Sequence, residues 1–149
     1  MKKFVLAAAA VLFVMPAVQA ADDPVATRKA IMQSVAASAG LSGGLMKGEI
    51  AYSPAAGKAA IASLNAAALS HGSFFPAGSD TAAGTTASPK IWSDAAGFAA
   101  ALAKFSAATG AAAQASGKDG PADAEAFKAA VGPILANCKS CHEAYRVQK

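Results

Sequence analysis

Asn137-Cys138-Lys139-Ser140-Cys141-His142-Glu143-Ala144-Tyr145-Arg146 lies three residues from the end of the chain and holds both of its cysteines. On a helix, positions i, i+3 and i+4 share one face. Two thiols and an imidazole at that spacing can grip one edge of a porphyrin by two thioether bonds and offer the ring nitrogen to its iron. Cys-x-x-Cys-His therefore reads as the attachment site of one c-type haem, with Cys138 and Cys141 as anchors and His142 as proximal ligand. Two other chemistries use these residue types. A redox disulfide of the thioredoxin kind needs strands and sets its cysteines at a helix start, whereas these sit near a helix end. A structural zinc wants four ligands, and beyond these three only His71 and scattered carboxylates remain.

Upstream of the motif, Phe127, Val131, Ile134, Cys138, Cys141 and Tyr145 form one helical stripe from about Asp123 to Val147, with Pro133 expected to bend or break it. Three further helices are predicted. The first has Asp23 as N-cap and Pro24 at its first position and runs to about Lys47. Arg28, Met32, Val35, Ala39 and Met46 mark its stripe, and Gly40, Gly43 and Gly44 are read as points of close helix approach. The second opens at Ser53-Pro54 and stops near His71-Gly72, and a long loop follows to about Trp92. The third begins at Ser93, with Asp94 in its first turn, and ends by Gly117. No segment alternates with a period of two. The expected fold is all-α, an antiparallel four-helix bundle.

At the other end, Lys2 and Lys3 precede an apolar run from Phe4 to Met15 and the small-x-small site Val18-Gln19-Ala20. That is the anatomy of a secretory signal peptide over residues 1–20, which leaves residues 21–149 as one domain. The apolar run is too short to span a bilayer, so no membrane insertion is expected after cleavage, and export points to the bacterial periplasm. Removing two lysines lowers the formal charge from +4 to +2, and without a basic run nucleic-acid binding is not supported. Alanine supplies 44 of the 149 residues. Helices so rich in alanine form readily but bury little, and an apolar cofactor would supply what the side chains lack.

Together, Arg28 with Met32 one turn later, Met46-Lys47-Gly48-Glu49, Ile91-Trp92-Ser93-Asp94 and the Cys138–Arg146 string resemble the class II c-type cytochromes, the cytochrome c′ family. The resemblance spans residues 21–149. It implies haem c held between the helices of a four-helix bundle, often in a homodimer. By position it places Arg28 near a haem propionate, Trp92 near the haem edge and Arg146 beside the proximal imidazole.

The family divides at the sixth position of the iron. In its low-spin members a methionine on the first helix completes the coordination, and the protein carries single electrons to and from redox partners. Met32 stands at the matching position and is the expected ligand. The alternative is a five-coordinate cytochrome c′ that binds nitric oxide or carbon monoxide, with Met32 only filling the pocket. Met46 is too far along the helix to share the role, about 21 Å at the standard rise. His71 reads as a surface histidine, with a second histidine ligand as the competing reading. No nucleophile–base set stands out, so an electron-transfer protein rather than an enzyme is expected.

Overall fold

The computed structural model describes residues 23–147; the expected signal peptide lies outside them. Helix α1 spans Pro24–Lys47. The Asp23 carboxylate accepts from the amides of Val25 and Ala26, both at 2.9 Å, and Gly48 ends the helix in the left-handed conformation, φ 73°. Helix α2 spans Pro54–Ser70 under a Ser53 cap and runs into a single 3-10 turn, His71–Phe74. The long loop that follows carries a one-turn helix, α3 (Lys90–Ser93), most of which falls in the stretch expected as loop to about Trp92. Helix α4 spans Ala95–Ser116. Asp94 is its N-cap rather than a first-turn residue, because its carboxylate accepts from Gly97 N at 3.1 Å.

Helix α5 spans Ala124–Tyr145, capped by Asp123. It stops two residues short of the expected Val147, because the chain there pairs with the long loop. Ser88 N donates to Tyr145 O and Val147 N to Thr86 O, both at 2.9 Å, around an isolated bridge between Ala87 and Arg146. Pro133 does not break the helix as expected. It deprives the Ala129 carbonyl of its helical donor, but both residues lie on the exposed face, where water can serve.

The four long helices form the expected bundle. Each packs on its neighbours in the ring order α1, α2, α4, α5, and the α5–α1 seam is the shortest. The core of Leu45, Ala60, Ile61, Leu64, Ala112, Phe127, Val131 and Ile134 fills one region. A second cluster, Ile91, Phe98 and Tyr145, gathers Phe75, Trp92 and Cys141 around it. On α1 the buried residues are Val25, Arg28, Ser38, Ser42, Gly44 and Leu45; of the expected stripe Arg28 is buried, whereas Met32, Val35, Ala39 and Met46 are only partly so. Nor do the α1 glycines admit a neighbouring helix. Gly40 and Gly43 face open space, and Gly44 makes room for Ile50 of the following turn.

Candidate functional site

Cys138 and Cys141 sit one turn apart on α5, both half-buried and both unpaired thiols. Loss of water pushes both thiols above their usual range, and each is therefore protonated at neutral pH. A disulfide is not what the helix has formed. The described residues also contain no group of three or more His, Cys, Asp or Glu side chains placed to hold a metal ion, so the zinc reading has no ligand set. His142 exposes its outer edge, yet surrounding protein strips enough water from the imidazole to lower its pKa, and Arg146 adds to the effect. The neutral imidazole, the form that ligates a metal, is favoured. Arg146, an exposed residue, caps α5 through its backbone N–H to His142 O at 3.1 Å.

Arg28 is 5% exposed. Its two terminal nitrogens donate to Phe74 O (3.0 Å), Ser79 Oγ (2.9 Å), Ser79 O (3.2 Å) and Thr85 Oγ1 (3.1 Å). The guanidinium lies over the Phe75 ring, 4.7 Å from its centroid. One side chain thus fastens the long loop to α1. Burial lowers its pKa, and Asp23 partly offsets this. Trp92 stands beside it, 6.0 Å from ring centroid to guanidinium carbon. Its indole N–H donates to Pro76 O at 3.2 Å, and its ring meets Phe75 edge-on at 6.1 Å. Met32, one turn on from Arg28, is half-buried and belongs to neither hydrophobic cluster.

Several residues of this region were not singled out from sequence. Phe75 is the hub: it meets His71, Trp92 and Phe98 edge-on, and Phe98 in turn meets Tyr145 at 5.3 Å. The Tyr145 phenol donates to Asp94 Oδ2 at 3.0 Å. Loss of water and then Asp94 raise its pKa. His71 is not the expected surface histidine: its Nδ1 is buried without a hydrogen-bond partner. Burial, then the charges of Arg28 and His142, lower its pKa to about 4. A signal for Phe75 was present in the Phe74-Phe75-Pro76 string, since aromatic pairs in a loop seldom face water; for His71, read as a surface histidine or a second ligand, nothing marked the burial of Nδ1. A groove of about 340 Å³ beside Cys141 and Tyr145, also lined by Lys104 and Asn137, separates α4 from α5. No described helix is long and apolar enough to cross a membrane.

The residues present fit a covalent haem: two free thiols and a neutral imidazole on one turn, a buried cation, and an unpartnered ring nitrogen. Residues 23–146 match the family described as Cytochrome C′. The chain is 36% identical to cytochrome c′ of Rhodopseudomonas palustris over 130 residues, 87% of this chain and 86% of that one. It is 34% identical to cytochrome c-556 of Agrobacterium fabrum over 133 residues, 89% and 86% of the two chains. Among solved structures, R. palustris cytochrome c′ superposes with a TM-score of 0.76 at 35% identity, covering 85% of this chain and 98% of that one. A nitric oxide complex of a cytochrome c′ variant from Alcaligenes xylosoxidans superposes at 0.72 and 30% identity, covering 85% and 95%.

Proposed function

Because this chain belongs to the cytochrome c′ family and binds one covalent haem c, we propose that Cys138 and Cys141 form its two thioethers and that His142 is the proximal iron ligand. The observation that carries this is two unpaired thiols and a neutral imidazole on one turn of α5, at the border of an aromatic cluster. When bound, haem supplies an iron that changes charge by one electron and can take a small ligand. The chain's part is to hold it. Cys138 and Cys141 fix the edge and orientation. His142 presents an imidazole whose neutral, ligating form is favoured by its partial burial. Phe75, Phe98 and Trp92 exclude water, and the buried Arg28 charge favours a carboxylate on the haem periphery.

In function, we read the protein as a periplasmic cytochrome whose sixth iron position admits small gases such as nitric oxide or carbon monoxide. The family match, the R. palustris relative and the nitric oxide complex of the A. xylosoxidans neighbour support this. A second reading rests on a specific observation. Met32 stands one turn from Arg28, half-buried and outside both clusters, and a thioether is a competent soft ligand for haem iron. A relative of similar identity is a cytochrome c-556. If Met32 ligates, one-electron transfer to redox partners is the role, and methionine with histidine raises the potential. A homodimer is the expected assembly in either case.

The ferrous spectrum with and without carbon monoxide separates the two. A gas binder is high-spin in wild type and takes up carbon monoxide freely. An electron carrier shows sharp low-spin α and β bands and resists the gas until Met32→Ala removes the ligand.

A further inference from the structure

Two features of the site are incomplete in protein terms, and both flank one ring. Arg28 is a buried cation that makes no ion pair among the described residues; its four partners are two carbonyls and two hydroxyls. Buried charges are ordinarily paired. On the same Phe75 ring, His71 packs edge-on with centroids 5.0 Å apart, and its buried Nδ1 has no partner. A buried polar atom left without a hydrogen bond is costly, so such an atom commonly marks a missing partner. His71 begins the 3-10 turn that packs against both α1 and α2. The charged and titratable groups that act on it are Arg28 from α1 and His142 from α5.

We propose that His71 is a second positioning residue for the haem, donating its Nδ1–H to a propionate carboxylate that also faces the Arg28 charge. This rests on the haem reading above. The ligand class follows from the pair: a buried cation and a neutral N–H donor converging on one ring select an anionic oxygen acceptor, and of the groups on haem only the propionates supply one. Arg28 already spends its terminal N–H groups on the loop, which leaves the direct hydrogen bond to His71. Burial favours the neutral imidazole, and its Nδ1–H tautomer makes the bond with no proton transfer.

The test compares wild type, His71→Leu and His71→Asn, all exported and haem-loaded, with helix content checked by circular dichroism. A donor to the propionate drains negative charge from the haem periphery and favours the ferrous form. Equilibration with a redox dye at pH 7 should therefore show His71→Leu shifted roughly three- to tenfold toward the ferric form. His71→Asn, which keeps a donor, should recover most of the shift. The propionate bending mode in resonance Raman should move in the leucine variant only, while the iron–carbon monoxide stretch stays put. An unchanged dye equilibrium in His71→Leu overturns the assignment. So does a shift confined to the carbon monoxide mode or to the spin state, which would put His71 at the sixth position. A wild-type chain that takes up no haem would instead sink the haem reading itself.

Discussion

Phe127, Val131 and Ile134 occupy the first half of α5 and are completely buried among Leu45, Ile61 and Leu64. From four residues past Ile134, the same helix carries Cys138, Cys141 and Tyr145 into a region of a different kind. There the packed groups are aromatic, the cysteines are only half-buried, a buried arginine makes no ion pair among the described residues and a histidine nitrogen goes unsatisfied. The first region closes on side chains alone. The second has polar loose ends of the kind that folded interiors keep only where something else completes them. One amphipathic helix thus walls a dry core and carries the thiols proposed to hold the haem, and the difference lies in which residues oppose it.

Truncating the dry region should have the largest effect on stability. Phe127→Ala in haem-loaded protein is expected to cost about 3–5 kcal/mol by urea denaturation, with the Soret band of the folded protein unmoved. A change in that band equal to one caused by Phe98→Ala would mean that the two regions are not separable.

The cofactor region should be set apart by its response to acid. His71 has a folded pKa of about 4 against 6.5 when unfolded. Between those values the unfolded chain binds more protons, so the histidine's contribution is full above about pH 6.5 and is lost as pH falls through 4. In haem-free Cys138→Ala/Cys141→Ala protein this should amount to about 2–3 kcal/mol between pH 7 and 4. Measured against the same chain carrying His71→Leu, a flat difference across that window would show that His71 is not buried as described.

The smallest effect should come at the junction. Asp94 caps α4 and receives the Tyr145 phenol. Asp94→Ala should cost about 1–2 kcal/mol, and Tyr145→Phe should recover part of that loss in a double-mutant cycle. Strict additivity would deny that the bond couples the two helices.

Much of this was legible in the chain. Asp23-Pro24 and Ser53-Pro54 state their helix starts outright, because an N-cap oxygen followed by proline has few other uses. The Cys138–His142 spacing states its chemistry for the same reason. What the sequence could not convey were long-range pairings. Arg28 reaches residues 46 to 57 positions away, the Nδ1 of His71 is shut off from water while its ring packs on Phe75, and Asp94, the α4 cap, also accepts from Tyr145 51 positions away. Periodicity also misplaced the buried face of α1. Ser38, Ser42 and Gly44 pack inward beside Val25, Arg28 and Leu45, while Met32, Val35 and Met46 stay half-exposed, so hydrophobicity alone placed the face imprecisely.

The attachment of haem to α5 can be read directly from the intact mass of the exported protein under denaturing conditions, set beside Cys138→Ala/Cys141→Ala. Wild type should carry the added mass of one haem through denaturation and acid–acetone extraction, and the double variant should carry none. A wild-type mass equal to that of the bare polypeptide, or a haem that survives denaturation in the double variant, would contradict the assignment of Cys138 and Cys141.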